Sequence, residues 1–148
     1  MTTNPYTPPL SSFNANNEQD VSISLWNPNA AVIWSILIGP AFGAILHMKN
    51  WQALGEPAKA KRVRTWAVLS LIILFGTPIV ANLFRESKIF LTLLSWSEYP
   101  FLLLWYFSEA REQSQYVATK FRKNYPRARW GKPILVALGV ILASASLG

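Results

Sequence analysis

The sequence predicts an all-α, polytopic membrane protein with four transmembrane helices and basic, amphipathic helical extensions on the cytoplasmic side. Three observations carry that reading. Of the 148 residues, 51% are hydrophobic and only 14% are charged, against about 25% charged in ordinary soluble domains. Four long apolar stretches contain a single acidic residue, Glu98, and no Lys or Arg. The 14 Lys and Arg residues gather in alternate connecting segments. Such a composition excludes a soluble globular enzyme, and the lack of cysteine excludes a disulfide-stapled secreted domain.

The segment 1–29 is rich in Asn, Ser, Thr and Pro and has no Lys or Arg. It is expected to be a mostly disordered external tail, ordered locally where Trp26 and Pro28 approach the lipid headgroups. It lacks the basic start and cleavage site of a signal peptide, so the first apolar stretch is expected to direct insertion. That stretch, 30–48, is the first expected span. Crossing about 30 Å of hydrocarbon takes roughly 20 apolar residues. Loop 49–64 follows, where Gly55-Glu56-Pro57 ends one helix and starts another, since Pro suits a first helical turn. A helix from Pro57 through Phe84 then contains the second span, 65–84, behind a basic collar of Lys59, Lys61, Arg62 and Arg64. The third span is 89–107. In loop 108–132, Phe107, Ala110, Ser114, Val117, Phe121 and Tyr125 recur at helical spacing, which extends that helix by about four turns, as far as Pro126. The fourth span, 133–148, is the shortest, at about 24 Å.

Orientation follows from charge. Loops 49–64 and 108–132 carry 12 of the Lys and Arg residues, and the connection between spans two and three carries 2. Short basic loops stay in the cytoplasm, so four spans place both termini outside. Trp26, Trp51, Trp66, Trp105 and Trp130 sit at span ends, where an indole is half apolar and half wet. Trp34 and Trp96 lie deeper and suit helix or partner contacts. Lys59, Lys61, Arg62, Arg64, Lys120, Arg122, Lys123, Arg127 and Arg129 are expected to meet anionic lipid, at about 1 kcal/mol per basic residue near the surface. The run FRKNYPRARW matches no nucleic-acid-binding module, so no nucleic-acid partner is expected.

Glu98 is the tenth residue of its 19-residue span. A charge at that depth costs a few kcal/mol, so the carboxyl must be protonated, paired, or turned toward protein or water. Ser95, Trp96, Ser97 and Tyr99 surround it, and Pro100 removes a backbone hydrogen bond and kinks the helix. Two readings stand: a proton-, ion- or partner-sensitive site, or a hydrogen-bonded bundle residue at a kink or shallow turn. Thr77, next to Pro78 in span two, offers a polar neighbour. Gly39 and Gly43 form a small-residue face for close helix packing, and Pro40 between them favours a kink. His47 reads as an interfacial residue. A single His without Cys cannot complete a common metal site, and no nucleophile, P-loop or dinucleotide motif is present. Neither a cofactor nor catalysis is therefore expected.

The stretch from Trp26 to Trp66 combines Trp26-x-Pro28, Pro40-Ala41-Phe42-Gly43-Ala44 and Asn50-Trp51-x-x-Leu54-Gly55 with a basic run. This resembles a pattern of small bacterial inner-membrane proteins with no assigned chemistry, and it covers about a quarter of the chain. The resemblance implies a multi-pass bacterial inner-membrane protein. In architecture alone, a small basic chain of several spans with polar residues in the membrane is similar to immunity proteins against pore-forming toxins. Intramembrane protein–protein binding is accordingly the expected function. The alternatives are an accessory subunit of a transport or secretion complex, and a small channel, necessarily a homo-oligomer, with Glu98 on its path.

Overall fold

The computed structural model describes residues 23–122 and 124–146. Within them the chain is helical, with one isolated bridge pairing Leu25 to Arg127. The helices are α1 (Pro28–Ile38), α2 (Pro40–Ala53), α3 (Pro57–Leu83), α4 (Lys88–Trp96), α5 (Glu98–Trp105), α6 (Arg111–Phe121) and α7 (Gly131–Ala145). A π-helical turn, Tyr106–Ala110, joins α5 to α6. Among the described residues only α3 is both long and apolar enough to cross a bilayer. Its 27 residues reach about 40 Å.

Local chemistry sets the boundaries. The Asn27 side chain caps α1 by accepting from the backbone N–H groups of Asn29 and Ala30 at 3.0 and 3.3 Å. Pro28, Pro40 and Pro57 open α1, α2 and α3, where their missing N–H is harmless. Gly55, at φ +74°, closes α2 in the left-handed conformation that glycine adopts freely. Pro100 cannot donate to the Trp96 carbonyl, and the break between α4 and α5 falls at Ser97. The extension of the third apolar stretch stops at Phe121, short of Pro126, because Arg122 turns left-handed at φ 45°, ψ 38°.

The segment 30–48, expected as one span, instead folds back on itself. Gly39 sits at φ 111°, ψ 157°, a region essentially reserved for glycine, and Pro40 supplies no N–H to carry the helix onward. Small residues then allow the two legs to touch. A Cβ on Gly43 would collide with Ser35 Oγ and lie 3.2 Å from the Ala31 carbonyl oxygen. Nearer the ends of the legs, His47 Nε2 lies 3.2 Å from the Pro28 carbonyl. Pairings of 31 with 43 and 28 with 47 define an antiparallel hairpin. With 11 and 14 residues, its legs measure about 16 and 21 Å, so neither alone spans the hydrocarbon.

The hairpin relocates the chain before it. Leu25 is fully buried, its N–H donates to the Pro126 carbonyl at 3.0 Å, and its carbonyl accepts from Ala128 N–H at 3.0 Å. Residues 23–29 are therefore ordered against loop 124–130, at the end that carries Lys49 and the basic segments. The local order expected around Trp26 and Pro28 thus extends over 23–29. Residues 1–22 lie outside the described part.

Three apolar clusters hold the bundle. Ala44, Ala67, Trp105 and Ala110 join α2, α3 and the α5–π–α6 rod. Ala31, Phe42 and Leu46 pack under Trp26, Trp34 and Trp130 and bring in α7. Trp51, Ala60 and Val63 close the α2–α3 connection against Tyr116.

Candidate functional site

Glu98 opens α5 at the helix break and is half-buried. With Ser70, Ile73 and the hairpin turn Ile36–Ala41 it lines a cleft of about 120 Å³. Its carboxylate forms no ion pair among the described residues. The structure thus brings together Glu98, Gly39 and Pro40, which the sequence had placed in separate spans.

Other expected members take different roles. Ser95 Oγ donates to the Leu91 carbonyl at 2.8 Å, and Ser97 Oγ donates to the Leu94 carbonyl at 2.7 Å. Both hydroxyls are spent on their own helix, satisfying carbonyls near the break. Trp96 and Tyr99, 65% and 52% exposed, pack on each other with ring centroids 5.5 Å apart. They stand beside the cleft and face outward. Trp34 instead packs on Trp130, 6.4 Å between centroids, and is not part of the cleft lining. Thr77 and Pro78 lie farther along α3, within the helix, and also do not line the cleft. Gly43 packs α1 on α2, with Trp105 2.7 Å from its would-be Cβ. Gly39 meets nothing within 4 Å and acts through its backbone angle.

A second polar centre lies at the basic end, and sequence reasoning missed it. His47, Asn50 and Gln113 are fully buried. Asn50 Oδ1 accepts from Trp26 N–H at 3.0 Å. Asn50 Nδ2 donates to the Trp26 carbonyl at 2.8 Å and to Gln113 Oε1 at 3.2 Å. Gln113 Nε2 donates to the His47 carbonyl at 2.7 Å. His47 also meets Trp105 edge-on at 5.2 Å. It is a packed core residue, and the interfacial placement is corrected.

Two of the residues expected on anionic lipid are engaged within the protein. Arg62 Nε donates to both Glu109 oxygens at 2.7 and 2.8 Å, and its Nη2 pairs with Glu112. Lys59 Nζ lies 3.3 Å from Glu112 and 4.5 Å above the Trp51 ring. The π turn sets Glu109 inward at 3% exposure, facing α3. Hydrogen bonds donated to Glu109, opposed by burial and aided by Glu112, hold the Arg62 guanidinium above its ordinary pKa. Burial pushes the Glu112 carboxyl up, but its bonds to Arg62 and Lys59 outweigh this and leave it below the ordinary value. The sequence did hold a signal for this clamp. Lys59 and Arg62 are three apart, as are Glu109 and Glu112, so each pair lies on one helix face.

Lys120 leans over the Tyr116 ring at 5.4 Å. Lys61, Arg64, Arg122, Arg127 and Arg129 are exposed, and Lys123 lies outside the described residues. No group of three or more His, Cys, Asp or Glu side chains among the described residues is arranged to hold a metal ion. No protein-family model, curated protein or solved structure matches the chain.

Proposed function

We propose that this chain is a non-enzymatic, multi-pass protein of the bacterial inner membrane that binds a transmembrane segment of another membrane-inserted protein. Its most specific form is an immunity protein against a pore-forming toxin. In this arrangement α3 crosses the bilayer and α4–α5 returns. The α1–α2 hairpin enters and leaves from the cytoplasmic side, and α7 runs outward from that side. The N-terminal residues 23–29 are then cytoplasmic. Basic segments 49–64 and 108–132 share the cytoplasmic face, as charge requires.

One observation carries the binding role. A half-buried carboxyl without an ion-pair partner among the described residues sits in a cleft beside an exposed Trp96–Tyr99 pair. A polar group at that depth gains by meeting a donor on an incoming helix. Such hydrogen bonds average only about 0.6 kcal/mol, so the shape of the Trp96–Tyr99 ledge supplies most of the affinity.

The test is survival. Cells with and without the chain are challenged with a membrane-inserting toxin of the same strain. The chain is expected to protect, and Trp96→Ala with Glu98→Leu is expected to abolish protection at unchanged membrane levels of the protein. Equal killing with and without the chain refutes the immunity reading. Full protection by the double variant refutes the site.

A further inference from the structure

We propose that the groove between α2, α3 and α7 binds one anionic phospholipid, with an acyl chain in the groove and the phosphate at Lys49 and Lys132. The groove encloses about 440 Å³, within the range of roughly 300–1,000 Å³ typical of small-molecule sites. Ile38, Phe42, Leu71, Leu74, Val136 and Val140 line its body, and Lys49 and Lys132 also border it. Its shape is elongated: lining residues Lys132 and Ile141 are about 14 Å apart along α7. Charge at one end and hydrocarbon along the rest is the pattern of an amphiphile.

The sign of the headgroup follows from what surrounds the lysines. Neither ammonium joins an ion pair among the described residues. Lys49 Nζ is held 6.0 Å from the centre of the Trp26 ring, which also lines the groove. The first turn of α7 starts at the same end, with no acidic residue and no side-chain cap. The N–H groups of Gly131 and Lys132 add positive potential there. No carboxylate lines the groove, so nothing is in place to hold the cation of a zwitterionic headgroup. Both lysines lie at the basic end of the bundle, beside Trp26 and Asn50, the level of the cytoplasmic headgroups. The site depends on the membrane reading and is independent of any protein partner.

Native mass spectrometry of the purified full chain with phosphatidylglycerol or phosphatidylcholine tests this. Wild type is expected to retain one phosphatidylglycerol in preference to phosphatidylcholine. The exposed pair Lys49→Gln with Lys132→Gln should weaken phosphatidylglycerol binding on the order of 30-fold and erase the preference. Val140→Trp, which fills the groove, should reduce retention of both lipids, with thermal unfolding confirming that the variant folds. Arg85→Gln with Lys88→Gln, exposed at the far end of the bundle away from the groove, should change neither. Equal retention of the two lipids by wild type overturns the headgroup assignment. Retention unaffected by both groove variants, or no lipid retained, overturns the site and leaves the groove to a partner helix. Toxin survival is unaffected by any of these outcomes, so failure here is distinct from failure of the immunity reading.

Discussion

Asn50 ties three parts of the chain with one amide: both backbone groups of Trp26, and the Gln113 side chain that in turn holds the His47 carbonyl. Every polar atom of that amide group is used, in a fully buried position. Asn50→Ala is therefore expected to cost about 1–3 kcal/mol, measured as a lowered unfolding midpoint in detergent, with Trp26 freed from α2. An unchanged midpoint would show that water replaces the amide at no cost. At this scale little was legible beforehand. Asn50 follows an apolar stretch, and its partners are 24 and 63 positions away, so no local pattern announces them. Glu98 stood out in the sequence as the only charged residue of the apolar stretch 89–107.

At the scale of elements, composition revealed that the apolar stretches are helical but not which way they run. A straight helix and a folded hairpin present the same 19 residues from 30 to 48, and only the backbone angle at Gly39 distinguishes them. The chain has no cysteine, so single introduced cysteines report sidedness cleanly. Ser24→Cys and Lys61→Cys are expected to react with an impermeant thiol reagent from the same side of the membrane, and Glu86→Cys from the other. Labelling of Ser24→Cys and Lys61→Cys from opposite sides would mean that 30–48 crosses after all. The clamp between α3 and α6 makes a second prediction. Because the Glu112 carboxyl lies below its ordinary value in the folded state, its contribution is complete above the unfolded pKa of about 4.3. It is lost as pH falls through the lower folded value. Glu112→Gln should thus be less stable than wild type at pH 7, and the gap should close on acidification toward pH 3. The carboxylate is 41% exposed, so the gap will be modest.

Over the whole molecule, order is unevenly distributed. The basic end holds the buried amide network, the clamp, and the Trp51 and Trp105 cores. The other end is α4 and the last turns of α3, where Leu83, Phe84, Ile89, Leu93 and Trp96 are exposed and α4 has no buried residue. Hydrogen exchange in detergent is expected to be slowest in α2 and α6 and fastest in α4, since local opening is cheapest where few contacts must break. Uniform protection along the chain would contradict this. The clamp brings segments 49–64 and 108–132 together, and the gathering of Lys and Arg in those two segments was legible in the sequence. The compactness of one end was not, because it rests on contacts between distant segments.

The hairpin also sets an order of events during synthesis. Its legs leave the ribosome early, yet Gln113, which holds Asn50 and the His47 carbonyl, is made 63 residues after Asn50, roughly 3–13 s later at ordinary elongation rates. Through that interval the α1–α2 hairpin lacks the side chain that holds Asn50 and the His47 carbonyl in place. A nascent chain stalled before Gln113 is thus expected to leave Trp26 open to protease, and release of the stall is expected to protect it.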